Sequence, residues 1–173
     1  LKVKINNGPI VDVEMQMVDQ KNIDERTATY LAKLYSMQLK SGEEYKKTSK
    51  VITVNILNFE FYNRNSYHCV AHMKFEPTQK DDYVDMGYSP EDEIAIEDFE
   101  VHFIELPKFI RKNPSVKRKL DQWLWLLIGK GEKIEMAEKE NEEIRKAQDE
   151  VEELSQSEQE RYIYELRQKA IRD

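Results

Sequence analysis

Apolar and polar residues alternate along the first part of the chain. Leu1, Val3 and Ile5 alternate with Lys2 and Lys4, which is a strand pattern over Leu1 to Ile5. Asn6-Asn7-Gly8 follows as a tight turn. From Ile10 to Met17 the alternation resumes, with Val11, Val13, Met15 and Met17 on one face and Asp12, Glu14 and Gln16 on the other. These two runs predict a β-hairpin. The period then changes. Asp24, or alternatively Thr27, is placed to cap a helix whose apolar face is Ala28, Leu31, Ala32, Tyr35 and Leu39, and Ser41-Gly42 ends it.

Further along, Val51 to Phe61 is rich in Val, Ile, Thr and Phe and predicts a buried strand, and Tyr67 to Phe75 predicts another. Glu76 to Pro90 is polar and loop-like. Phe99 to Leu106 alternates and predicts a strand stopped by Pro107. Asn113-Pro114 opens a helix with the apolar face Val116, Leu120, Trp123, Leu124, Leu127 and Ile128, closed by Gly129-Lys130-Gly131. Glu132 to Leu154 predicts a charged helix with a thin seam of Ile134, Ala137, Ile144, Val151 and Leu154. Ser157-x-x-Glu160 is a capping box for a last helix. The order β-β-α-β-β-β-α-α-α makes this an α+β chain. Residues 1–129 form the core, and residues 130–173 a charged helical C-terminal extension.

Length and composition narrow the class. The chain has 173 residues, 39 % hydrophobic and 35 % charged, enough for one core and an appendage. The longest apolar run, Trp123 to Ile128, is far too short to span a bilayer, and the N-terminus lacks the basic start and apolar run of a signal peptide. A single cysteine, Cys69, excludes an intramolecular disulfide and a Cys-rich zinc site. A cytoplasmic location is the expectation. The chain begins with Leu, so the start of the gene product is expected upstream.

The net charge is −7, of which −5 falls in Lys130 to Asp173. That balance opposes broad salt-driven nucleic-acid binding but leaves room for local basic patches. Two exist: Lys108, Arg111, Lys112, Lys117, Arg118 and Lys119 without an intervening acid, and Lys40, Lys46, Lys47 and Lys50 beside Glu43 and Glu44. Such runs are ordinarily solvated faces. An acidic run, Asp81 to Glu100, lies between them.

Asp12, Glu14 and Gln16 are the strongest chemical candidates. Their i, i+2, i+4 spacing projects three acceptor-bearing side chains from one strand face. Such a face can hold a hard divalent cation with one or two carboxylates and waters. It can equally be the polar outer face of an edge hairpin. Arg26 and Tyr30, four apart, share a helix face, with Lys33 one turn on. Arg26 could grip a phosphate, or pair with a nearby acid while Tyr30 packs. His68 and His72 share a strand face without a third ligand, and packing is the simpler reading. Trp123 and Trp125 read as a buried helix face. No Gly-rich phosphate loop or nucleophile elbow is present.

The stretches Val11-Asp12-Val13-Glu14-Met15-Gln16, Glu25 to Tyr35, Gln38-Leu39-x-x-Gly42-x-x-Tyr45, Val51 to Leu57, Tyr67-His68, Val101 to Phe109 and Tyr164 to Ala170 occur in an order that resembles the Rpn family. These are recombination-promoting nucleases, often labelled transposases, within the PD-(D/E)xK nuclease superfamily. The resemblance implies a restriction-endonuclease-like core, a mixed sheet flanked by helices. It also implies metal-dependent cleavage of DNA phosphodiesters with Mg²⁺ or Mn²⁺. By position, Glu14 matches the acidic ligand and Gln16 the place of the usual Lys; Asp12 is a further candidate ligand to which the family assigns no role. Gln can hold a water but cannot take its proton at neutral pH. The family's other catalytic Asp would fall immediately before Leu1. Arg26, Tyr30 and Lys33 would face the scissile phosphate. The competing reading is a degenerate nuclease fold kept as an interaction module. The C-terminal helices are expected to pack on the core, with pairing to a second copy as the alternative.

Overall fold

The computed structural model describes residues 1–5, 8–39, 41–42, 44, 47–74, 95–129, 131–153, 158 and 161–162. Five strands form one sheet: β1 (Lys2–Lys4), β2 (Ile10–Gln16), β3 (Val51–Leu57), β4 (His68–Lys74) and β5 (Ala95–Glu105), in the order β1-β2-β3-β5-β4. Five helices accompany it among the described residues: α1 (Ile23–Ser36), α2 (Leu106–Lys112), α3 (Lys119–Ile128), α4 (Gly131–Glu140) and α5 (Glu142–Glu153). The α+β class is the one the alternation predicts. The chain divides into two compact units. One comprises residues 1–15, 19–57 and 68–104; the other comprises 16–18, 58–67 and the chain from 105 onward.

In the first unit, the hairpin pairs β1 and β2 antiparallel, with Lys2 opposite Asp12, Val3 opposite Val11 and Lys4 opposite Ile10. Its turn is closed by Gly8 N–H donating to the Ile5 carbonyl at 2.6 Å. A Cβ at Gly8 would stand 2.9 Å from that same oxygen, so a side chain there would clash with backbone. Asn6 and Asn7 lie outside the described residues. Ile10 N–H donates to the Lys50 carbonyl at 2.8 Å at one end of β2, and Asn58 N–H to the Gln16 carbonyl at 2.8 Å at the other. Strands β2 and β3 therefore run in the same direction, whereas β4 and β5 are antiparallel with a register shift between His72 and Met73. The sheet is mixed.

Several boundaries differ from the pattern-based expectation, each for a local reason. Helix α1 starts at Ile23 with Asn22 at its N-cap, not Asp24 or Thr27; Asp24 and Glu25 fill the first turn, where negative charge suits the helix dipole. It ends at Ser36, ahead of Ser41-Gly42, and Gly42 takes φ +87° in a later turn. Its buried residues are Ile23 and Thr27, while Ala28 and Ala32 are exposed, so the alanines do not mark the covered face. Strand β5 begins at Ala95, ahead of Phe99, and ends at Glu105, just before Pro107; Pro107 also sits in the first turn of α2, where proline costs no hydrogen bond. The predicted loop Glu76–Pro90 lies outside the described residues, as do most of the capping-box helix after Ser157 and the stretch Tyr164 to Ala170.

The second unit is built on aromatic packing. Phe109 and Trp125 are fully buried with ring centroids 4.5 Å apart, and the Tyr67 ring meets Phe109 edge-on at 5.1 Å. Trp123, by contrast, is 41 % exposed, so only one of the two tryptophans belongs to the core. Asn113 adopts a left-handed conformation (φ 45°) that ends α2, and α3 starts only at Lys119, five residues after Pro114. The charged stretch from Glu132 breaks at Asn141. There the side-chain carbonyl accepts Glu143 N–H at 3.0 Å, capping α5, and the amide nitrogen donates to Gln122 at 2.7 Å. Helices α4 and α5 pack on α3, burying Ile134, Ala137 and Ile144.

Candidate active site

The polar face of β2 is covered, not outward-facing. Asp12 is 8 % exposed and Gln16 2 %, whereas Val11, Val13 and Met15 on the opposite face are only half-buried. Helix α1 lies over this face. Arg26 approaches Glu14, with a guanidinium nitrogen 3.6 Å from Oε2, and Thr27 Oγ1 donates to Asn55 Oδ1 at 3.2 Å. Contacts from adjacent residues of one helix put Glu14 on β2 and Asn55 on β3 on the same side of the sheet. Asn55 also donates to the His102 carbonyl at 3.3 Å. Thr53, fully buried, stands two residues before it on the same face of β3. The result is a buried polar stripe, which apolar strand residues would fill at less cost in desolvation.

Asp12 and Glu14 point from the same face of β2. The Leu1 nitrogen, on the neighbouring strand, lies 3.9 Å from Asp12 Oδ1 and 3.9 Å from Glu14 Oε1. Arg26 supplies a positive charge beside Glu14, and its guanidinium carbon sits 5.4 Å from the centre of the Tyr30 ring. The i, i+4 pair therefore does share a face, turned toward Glu14, with the Arg26 side chain 8 % exposed. Lys33 is exposed on α1. Gln16 ends β2, and its side-chain Nε2 is buried with no hydrogen-bond partner among the described residues. A buried donor left open in this way is suited to a small polar molecule. Among the described residues no group of three or more His, Cys, Asp or Glu is placed to hold a metal. Two carboxylates on one strand face nevertheless match what Mg²⁺ takes from a protein, since it keeps several waters.

The pattern of residues does not single out Lys2, Thr53 or Asn55, and offers Thr27 only as an alternative helix cap. Lys2 pairs with Asp12 across the hairpin, and the turn at Gly8 sets that register. Thr53 and Asn55 interrupt an otherwise apolar face, Val51 to Leu57, in alternation with Ile52, Val54 and Ile56. That interruption was the available signal. Elsewhere on the sheet, His68 Nε2 and His102 Nδ1 are hydrogen-bonded at 2.9 Å, and His102 Nε2 meets Glu100 at 2.6 Å. Lys50 donates to the other Glu100 oxygen at 2.7 Å. The Lys50 bond, and next the His102 bond, hold the Glu100 carboxyl below its ordinary range. His72 is exposed and does not join His68 at a shared ligand.

The mixed five-stranded sheet, with two carboxylates on its hairpin strand beneath an Arg- and Tyr-bearing helix, makes this an α+β protein of the arrangement found in PD-(D/E)XK nucleases. The chain belongs to the PD-(D/E)XK nuclease family transposases: the model of that family matches residues 1–173, the whole chain. No curated protein and no solved structure matches it. No described helix is long and apolar enough to cross a membrane.

Proposed function

We propose that this protein is a metal-dependent DNA endonuclease acting in recombination or on mobile elements. The observation that carries the reading is the placement of Asp12 and Glu14 on one face of β2, with Arg26 of α1 against Glu14, in a chain of nuclease family. Asp12 and Glu14 would hold Mg²⁺ or Mn²⁺, which when bound acidifies water and neutralises charge developing on a phosphate. Gln16, two residues further along the same strand, would orient the attacking water through its unspent amide donor. It adds no positive charge and takes no proton, so the proton must leave to solvent or phosphate. Arg26 is held against Glu14 and stacked on Tyr30, which fixes its fork for a phosphate oxygen. Lys33, on the exposed side of α1, would meet the substrate backbone. In a longer chain, a residue joined to Leu1 would emerge beside both carboxylates, where the family's second catalytic Asp is expected.

The test is nicking of supercoiled plasmid with Mg²⁺, with Mn²⁺ and with chelator, wild type beside Glu14→Ala. Metal-dependent nicking should fall by roughly 100-fold or more in the variant, as for loss of a group acting directly on the transition state. Absence of nicking in both proteins would sink the enzymatic reading and leave a nuclease fold that serves as an interaction module.

A further inference from the structure

The second unit carries a basic surface that the candidate active site does not use. From Leu106 to Leu120 the sequence has six cations and no acid. Two are committed: Lys108 is buried against Glu105, and Arg111 pairs with Glu60 at 2.7 Å. The other four, Lys112, Lys117, Arg118 and Lys119, are exposed, and among the described residues none of them meets a carboxylate. Arg118 donates to the Tyr67 hydroxyl at 3.2 Å. Asp121, the acid next along the chain, is 3 % exposed and accepts the Tyr67 hydroxyl at 2.6 Å, so it is turned inward.

The segment bearing these cations is held in one conformation. Asn113 turns the chain out of α2. The Pro114 carbonyl accepts both Trp125 Nε1 at 3.1 Å and Lys133 Nζ at 3.3 Å. Val116 is buried, and its carbonyl accepts Gln122 Nε2 at 2.8 Å. Arg118 then occupies the N-cap of α3 without supplying a side-chain acceptor, so the positive end of that helix is open beside the cations. The backbone carrying the four cations, from the last residue of α2 to the first of α3, therefore has little left to order on binding an anion. In a chain of net charge −7 such a concentration is a local exception.

We infer that Lys112, Lys117, Arg118 and Lys119 form a docking surface for the backbone phosphates of duplex DNA. The inference rests on the nuclease reading for the identity of the polyanion, and it adds where affinity comes from. Contacts of this kind position DNA without reading its sequence. Arg118 can bridge a phosphate in fork geometry, and the three lysines act as point charges.

The experiment is fluorescence anisotropy of a labelled duplex with the full chain in chelator, across a KCl series. Wild type is compared with Lys112→Gln/Lys117→Gln/Arg118→Gln/Lys119→Gln. A charge-matched control replaces Lys139, Arg145, Lys146 and Arg161 by Gln. Each phosphate contact contributes about 0.9 to the slope of log affinity against log salt. The loop variant should therefore flatten the slope by about three to four and weaken binding more than tenfold at low salt. The control should leave the slope near wild type. Equal flattening in both variants, an unchanged slope in the loop variant, or a wild-type slope near zero would overturn the surface. Wild-type nicking that persists alongside any of those results keeps the nuclease reading. A flattened slope without metal-dependent nicking removes the nuclease reading and keeps the surface.

Discussion

Glu100 shows how one ionisation is tied to the fold. Its carboxylate accepts from Lys50 and meets His102, and these bonds lower its pKa from the ordinary 4.5. A carboxyl whose folded pKa is depressed binds protons more weakly than in the unfolded chain. Its contribution to stability is complete above about pH 4.5 and is lost as pH falls through the lowered folded value. Substituting Lys50→Met removes the largest cause. Melting temperatures of wild type and variant, measured from neutral to acid pH, should differ most near neutrality and converge below pH 4.5. Parallel curves throughout would show that Lys50 acts by packing alone. His102 adds a second hydrogen bond to Glu100 and a first to His68, so this cluster spends its polar groups on one another.

At the scale of elements, the join between β5 and α2 is fixed by charge buried inside the second unit. Glu105, the last residue of β5, and Lys108, in the first turn of α2, are an ion pair with side chains 0 % and 2 % exposed. Glu105 also accepts the backbone N–H groups of Phe61 and Tyr62, the latter at 3.1 Å, and Lys108 donates to the Tyr62 carbonyl over the Tyr62 ring. Within the second unit, the segment after β3 is thus tied to the start of α2. Removing one partner strands a charge: Glu105→Leu or Lys108→Met alone should cost about 3–5 kcal/mol in urea unfolding. The double variant should recover most of that loss. Additive losses would mean that each residue acts through its own backbone contacts.

That join also marks where sequence reading ends. The hairpin, α1, β3 and the final strand are legible because alternation and helical spacing are local properties. The helix expected to open at Pro114 starts instead at Lys119, because proline fixes only its own φ and removes one donor. Whether it opens a helix depends on tertiary partners such as Trp125 and Lys133, which bond the Pro114 carbonyl and which local spacing does not reveal. The candidate site was legible on β2, where Asp12, Glu14 and Gln16 share a parity, and on α1, where Arg26 and Tyr30 share a face. That the acidic face is covered and not outward could not be read locally, because it follows from α1 lying across β2 and β3. Trp123 and Trp125 likewise differ in burial although they are neighbours in pattern.

Taken as a whole molecule, the chain sets a net negative charge beside a nucleic-acid family and resolves the tension by position. Acids concentrate after Lys130, while the cations of residues 112–119 stand on one pinned loop. Buried polarity is also localised: within the first unit it forms the stripe of Asp12, Thr27, Thr53 and Asn55, with the half-buried Glu14 beside it. The stripe has a consequence for how this protein can change. A sheet covered by a helix is most stable when the covered face is apolar, so each of these side chains is a standing opportunity for stabilising replacement. Converting Asp12→Val, Glu14→Val and Arg26→Met together should raise stability by about 1–4 kcal/mol, read as a higher melting temperature. A lower melting temperature would show that the stripe holds the fold together. If stability rises, the wild-type sequence is poised on a slope that ordinary mutation descends easily, and only a task performed by those polar groups keeps a chain of this kind from sliding toward an inert, hardier version of itself.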